Sequence, residues 1–308
     1  MIDLLFRRYL WLIDMIRNAR EISYGDIAAR WERSSLNDDH SSLSLRTFHN
    51  HRNAIEKHFG IEIACHRGRG RNTYYIANRD AIEDDTLNRW MLDSFATGNM
   101  LAEHRDITDK ILLEDIPGGT EHLPPILKGL RENKRLRLLY RSYRSAASTE
   151  TVVEPLCVRM FKRRWYLLVH RVKENDLRIY ALDRIRELNP TDETFVYPAD
   201  FHPADYFACY YGIATDGYSQ PATVRLKAFA ELPHYLRSLP LHASQRETEC
   251  GRDYSVFEYF LSPTFDFVQE LLLHGDQIEV LAPIELQTRV AGIIRAMNGR
   301  YENFHDMK

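Results

Sequence analysis

Apolar residues recur at helical spacing through the first sixty positions and then switch to alternation. Leu4, Leu5, Tyr9, Leu12, Ile13 and Ile16 predict an amphipathic helix over 3–19. Ser23 is a good N-cap for a second helix, with Asp26 at the position of a capping-box acid and Ile27, Ala28 and Trp31 on its buried side. That helix stops near Arg33, because Ser34, Ser35, Asn37, Asp38 and Asp39 favour a loop. A third helix over about 44–59 carries Leu45, Phe48, Arg52, Ile55 and Phe59 on its inner side, leaving Arg46, Thr47, His49, Asn50, Asn53 and Lys57 to face away or toward the edges. Strand-like runs at 61–65 and 73–76 then flank a basic, glycine-rich tip, Arg67-Gly68-Arg69-Gly70-Arg71-Asn72.

Beyond residue 80 the pattern alternates between helix and short strand. Residues 80–95 and 100–113 read as helical, with Ile82, Leu87, Trp90, Met91, Phe95, Leu101, Ile107, Ile111 and Leu112 forming apolar stripes that must cover something. Ile116-Pro117-Gly118-Gly119 breaks this segment and places a domain boundary near 117–122. A helix over 123–130 leads into a strand at 137–140. Three strand-like runs follow at 152–161, 165–172 and 177–182, with charged turns between them. These hairpins suit a small antiparallel sheet or closed barrel. Arg159, His170, Arg178 and Arg184 lie in or beside them, more basic groups than a dry core tolerates. A short helix at 203–211 closes this module. The C-terminal part reads strand-helix-strand-helix-strand-helix, a small α/β sandwich.

Composition adds a polarity to this organisation. The net charge is -3, but residues 1–79 hold 13 Lys and Arg against 9 Asp and Glu, and the remainder holds 28 against 35. A basic head on an acidic body places any nucleic-acid contact in the head. Three helices and a basic hairpin make a winged helix-turn-helix. Its third helix can present Arg46, Thr47, His49, Asn50, Asn53 and Lys57 to a major groove about 12 Å wide, while Arg67, Arg69 and Arg71 reach phosphates or a minor groove. The same surfaces also suit a protein interaction module. The four cysteines form no CxxC pair, so no metal centre is expected. No HExxH, GxSxG, P-loop or dinucleotide glycine pattern occurs, which argues against an enzyme, and no cofactor is expected. The start of the chain lacks a uniform apolar region and a small-residue cleavage site, and no run approaches membrane-spanning length. The expected location is cytoplasmic.

Tyr140-Arg141-Ser142, Glu154-Pro155-Leu156, Trp165-Tyr166-Leu167 and Leu182-Asp183-Arg184-Ile185 together resemble the WYL domain family. His274-Gly275-Asp276, before the run at 278–283, resembles the C-terminal extension of WYL regulators. The resemblance implies an Sm-like or SH3-like small barrel that senses a negatively charged effector, a nucleotide or nucleic-acid fragment, through aromatic and basic residues. Tyr166 and His170 share one strand face and are expected to point toward that effector. Arg184 offers a planar fork for a phosphate, and Tyr140 and Arg144 are placed similarly, with Arg141 and Ser145 competing for Arg144's role.

The expected fold is thus multidomain α+β: a winged helix-turn-helix over 1–79, a helical linker and dimerisation segment over 80–122, a small Sm/SH3-like β-barrel over 123–211, and a small α/β sandwich over 221–308. The expected function is a sequence-specific transcriptional regulator. It would be a homodimeric repressor on a palindromic double-stranded DNA operator, controlled by an anionic effector. The alternative is a nucleic-acid-binding accessory protein of a genome defence or DNA repair system.

Overall fold

The computed structural model describes the 308-residue chain except residues 1–3, 35, 38–40, 69–70, 84, 115–117, 144–146, 216–219 and 303–308, and the side chains of 103, 105 and 108. It divides into two compact units, 1–114 and 115–308.

The first unit begins with α1 (Leu4–Ala19), β1 (Ile22–Ser23), α2 (Tyr24–Glu32) and α3 (Leu45–Phe59), followed by β2 (Ile63–Arg67) and β3 (Asn72–Ile76). The serines that the sequence marks as caps act as caps. Ser23 accepts the amide of Asp26 and Ser44 that of Thr47, and Gly60 ends α3 with φ at 65°. Leu12, Ile13, Ile16, Ile27, Trp31, Phe48 and Ile55 share one core with Tyr74 and Ile76 of β3. The buried stripe of α3 is Phe48, His51, Ile55 and Phe59; Leu45 is exposed and Arg52 half-buried. His51 lies three residues after Phe48 and four before Ile55, so it takes the inner position expected of Arg52, one residue further round the helix. The hairpin gains a third strand because β1 pairs with β3, giving the order β1-β3-β2. The helices α4 (Asp80–Glu83) and α5 (Thr86–Glu103) follow. Asp85 caps α5, Leu92 is buried, and Asp93 meets Arg17 of α1 at 2.7 Å.

The second unit contains α6 (Leu123–Glu132), β4 (Lys134–Arg141), β5 (Ser148–Phe161), β6 (Arg164–Arg171), β7 (Asp176–Ala181), β8 (Ile185–Thr194) and α7 (Pro203–Phe207). The barrel expected here does not close. The five strands form an open antiparallel sheet in the order β7-β6-β5-β4-β8. β5 pairs with β4 through 148–153 and with β6 through 153–161, so one long strand carries two ladders. The edge strands β7 and β8 are joined by one turn of 3-10 helix, Leu182–Arg184, and share no ladder. Chain rather than hydrogen-bonded backbone occupies that gap. Gly119, with φ at 104°, lies so close that a Cβ would stand 2.5 Å from the Asp183 amide nitrogen, and His122 Nε2 is 3.2 Å from the Ile185 carbonyl. β8 has no apolar alternation, with only Ile185 and Leu188 buried, which is why its sequence does not announce a strand.

One face of this sheet buries Leu136, Leu138, Val153, Leu167, Val169, Tyr180 and Leu182 under Ile126 of α6. The other buries Leu156, Cys157 and Leu168 under Phe195, Tyr197, Phe201, Tyr206 and Phe207. The remaining elements are β9 (Ala222–Phe229), α8 (Leu232–Ser238), β10 (Arg246–Cys250), β11 (Tyr254–Leu261), α9 (Phe265–Leu273), β12 (Ile278–Ala282) and α10 (Ile284–Glu302). Their sheet is antiparallel in the order β10-β11-β9-β12. β10 is one strand more than the expected succession, and all of its residues are exposed, so it carries no period-two signal.

The two sheets of this unit are tied together by specific contacts. Lys162 Nζ, in the β5–β6 turn, lies 2.6 Å from Glu270 Oε2 on α9, and Glu270 is buried. Tyr211 packs edge-on against both Phe161 and Phe267. The Arg159 guanidinium lies 4.2 Å from the ring centre of Phe207, and Asp266 accepts the amides of Ile213 and Ala214 at 2.7 Å each. Among the described residues, no helix is long and apolar enough to cross a membrane.

Candidate nucleic-acid interface and ligand cleft

Two surfaces carry convergent polar chemistry, one in each unit. In the first, Arg46, Asn50, Asn53 and Lys57 are exposed and follow one another along α3 at intervals of four, three and four residues, a single outward stripe. Thr47 turns inward to the cap, its hydroxyl 2.8 Å from that of Ser44. His49 is half-buried beside Phe48 and Tyr74. His49 and Arg52 instead line a cleft of about 670 Å³ between α3 and the hairpin, facing Arg67, Arg71 and the start of α2 at Ser23, Tyr24 and Gly25.

Arg71 is not a free wing arginine: it donates to Asp26 at 2.6 Å and to the Ser23 hydroxyl at 2.7 Å. Asp26 is held below the usual carboxylate range, first by the Ser23 hydroxyl and then by Arg71. A second tie joins His66 Nδ1 to Glu21 Oε1 at 3.0 Å. The wing is therefore fastened to the N-terminal end of α2. Arg67 is exposed, and Arg69 lies outside the described residues.

The second surface is a cleft of about 570 Å³ on the α6 face of the five-stranded sheet, beyond the end of its apolar core. Alternation along each strand puts Tyr140 of β4, Thr149 and Thr151 of β5, Arg171 of β6, and Arg178 and Tyr180 of β7 on that side. Arg184 is held between two rings, its guanidinium carbon 4.9 Å from the centre of Tyr140 and 3.7 Å from that of Tyr143. Its Nε donates to the Arg141 carbonyl at 3.2 Å. The guanidinium is thus fixed in plane with part of its donor set uncommitted by that bond. Tyr140 packs edge-on against Tyr180, and burial pushes both phenols above their ordinary pKa. Lys173, Glu174 and Glu150 complete the rim. Arg171 is spoken for by a two-pronged contact with Asp176, both bonds at 2.6 Å.

Of the residues expected to share an effector site, Tyr140 and Arg184 come together here. Tyr166 and His170 do not line the cleft: with Leu168 they occupy the opposite sheet face, as the strand alternation predicts. Burial raises the Tyr166 phenol. His170 bonds Glu154 Oε2 at 2.9 Å through Nδ1 and Asn175 Oδ1 at 3.0 Å through Nε2. Arg144 lies outside the described residues. The cleft residues missing from the expected set are Arg178, Lys173, Tyr143 and Tyr180. Arg178 carries a signal, as a charge inside an apolar strand; Tyr143 lies in a connection whose course the sequence does not indicate.

Among the described residues, no group of three or more His, Cys, Asp or Glu side chains is placed to hold a metal ion.

An outward polar stripe on a head helix and an aromatic-basic cleft on an open sheet define a multidomain α+β protein with two separate recognition surfaces. Residues 121–190 match the WYL domain and residues 219–297 the WCX domain: the chain is a WYL-domain protein. Among solved structures it is similar to proteasome accessory factor B/C of Arthrobacter aurescens, with 16% identity and a TM-score of 0.35 over 92% of this chain and 45% of that one. It is also similar to a CRISPR Cas-related protein, with 11% identity and a TM-score of 0.38 over 83% of this chain and 72% of that one. The chain thus spans less than half the length of the accessory factor chain. No curated protein matches it.

Proposed function

We propose that this WYL-domain protein is a DNA-binding transcriptional regulator that acts as a homodimeric repressor on a palindromic operator and is released by an anionic effector. The observation that carries the reading is the α3 stripe of Arg46, Asn50, Asn53 and Lys57 beside a basic cleft lined by Arg52, Arg67 and Arg71. A stripe of that length and chemistry suits base edges in a major groove, with the cleft and wing on adjoining phosphates. The aromatic-basic cleft around Arg184 and Arg178 supports the effector step, since a planar fork with further cations beside it favours phosphate-like anions. The exposed apolar residues Leu87 and Met100 on α5, with Leu112 and Leu113 after it, support assembly with a second copy.

The test is selection of bound fragments from genomic DNA by the full chain, followed by binding titrations across salt concentrations. One compact palindromic site is expected. Replacing Arg46 and Lys57 with Ala should weaken binding and reduce the salt slope by about 2, roughly one for each phosphate no longer neutralised. Length-dependent binding with no preferred sequence would instead support an accessory role in genome defence or repair. An unchanged affinity in the double variant would remove α3 from the interface.

A further inference from the structure

His170 stands directly behind the ligand cleft, and its contacts specify a protonation state. Its Nδ1 faces Glu154 Oε2 at 2.9 Å and its Nε2 faces Asn175 Oδ1 at 3.0 Å. An ionised carboxylate and an amide oxygen are both acceptors, so both ring nitrogens must donate, which only the imidazolium can do. Glu154 is fixed for this role from its other side, where Arg135 of β4 donates to Oε1 at 3.0 and 2.9 Å while reaching Glu193 of β8 at 2.7 Å.

Asn175 belongs to the tight turn between β6 and β7, in a left-handed conformation with φ at 55°. Its neighbours Lys173 and Glu174 are rim residues of the cleft. The turn is therefore held from both faces of β6. Arg171 grips Asp176 on the cleft side and His170 grips Asn175 from behind.

We propose that His170 is a positioning residue for the cleft: a doubly donating imidazolium that ties the rim turn to the sheet, so that the cleft's hold on an anion weakens when His170 loses its proton. The proposal rests on the reading of this cleft as an anion site. The charged groups around the ring are Glu154 from β5, Arg135 from β4 with its partner Glu193 on β8, Arg171 on its own strand, and Glu174 and Asp176 from the turn and β7. The segment covering this face contributes aromatic residues, Phe195, Tyr197, Phe201, Tyr206 and Phe207. The Glu154 hydrogen bond, then that of Asn175, raises the imidazole above its ordinary value against the opposing effect of partial burial. A neutral ring donates once. It keeps the stronger acceptor, Glu154, and turns a lone pair toward Asn175 Oδ1, which releases the turn.

Two measurements on the full chain test this. In the first, long-range proton–nitrogen NMR of labelled histidine, with His170→Gln used for assignment, should show both His170 nitrogens protonated at pH 7. Glu154→Gln should lower the pH at which the proton leaves. A neutral ring at pH 7 in the wild type overturns the proposal. In the second, sulfate serves as the probe because its charge is constant across the range used. Wild-type affinity should fall about five- to tenfold between pH 6.5 and 8.5. His170→Gln, checked for an unchanged thermal transition, should bind weakly at both values. Equal pH dependence in wild type and variant overturns the role of His170 while leaving the cleft intact. Sulfate affinity untouched by Arg184→Ala overturns the cleft reading itself, and the positioning role with it.

Discussion

Arg184 shows how much a single side chain depends on what surrounds it. Flanked by the rings of Tyr140 and Tyr143 and fixed through Nε, its fork is oriented before any ligand arrives. A lysine would keep the charge and lose the plane. Arg184→Lys should therefore weaken binding of a phosphate-bearing probe by roughly tenfold or more, the loss of about 1.5–3 kcal/mol in a charge-assisted pair, measured by calorimetric titration. His51 illustrates the opposite case. It is buried on α3, its Nε2 has no hydrogen-bond partner, and burial, then the charge of Arg8, lowers its pKa. Its folded pKa thus lies below the unfolded value near 6.5, so the unfolded chain takes up the proton first. Stability is complete above that pH and falls as the pH drops through it toward the folded pKa. Acid melts of the full chain should show this loss, and His51→Leu should flatten it. Strand parity alone gives the facing of Tyr166 and His170 correctly. Which face holds the cleft depends on where α6 and the 195–207 segment lie, and no residue of β6 encodes that.

At the scale of elements, legibility follows burial. The helices with a clear apolar face, their serine caps at 23 and 44 and the glycine end at 60 are readable because each rests on local chemistry. The strands β1, β8 and β10 are not, since two are polar edges and one is two residues long. The closure of the five-stranded sheet is misjudged from sequence because short hairpins are common to open and closed sheets alike. What decides it is the segment at 119–122 occupying the space beside the 182–184 turn. Gly119→Ala tests this assignment. With φ at 104° and the Asp183 amide 2.5 Å from the added carbon, the change should cost about 1–3 kcal/mol, seen as a lower denaturant midpoint with an unchanged slope.

For the molecule, the division that matters for folding lies near residue 114 rather than between the two sheets of the second unit. Removing Lys162 would leave Glu270 buried without its cation. We expect Lys162→Ala to cost about 1–3 kcal/mol and to lower protection of amides in β6 and α9 together, measured by hydrogen exchange. Loss confined to one sheet would show that the sheets open independently. The charge polarity of the sequence anticipates the basic head, and the residue runs at 140–142, 154–156, 165–167 and 182–185 anticipate the WYL match at 121–190.

The bonds between the two sheets also constrain how such chains can be recombined. The matched WYL region ends at 190 and the WCX region begins at 219, yet the residues that join them, Phe207, Tyr211, Ile213 and Ala214, lie in between and touch partners on both sides. A crossover inside 191–218 that exchanged one region alone would pair foreign surfaces at Lys162 with Glu270 and at Asp266 with the 213–214 amides. The viable unit of exchange is the whole of 115–308, with the head as the freely replaceable piece.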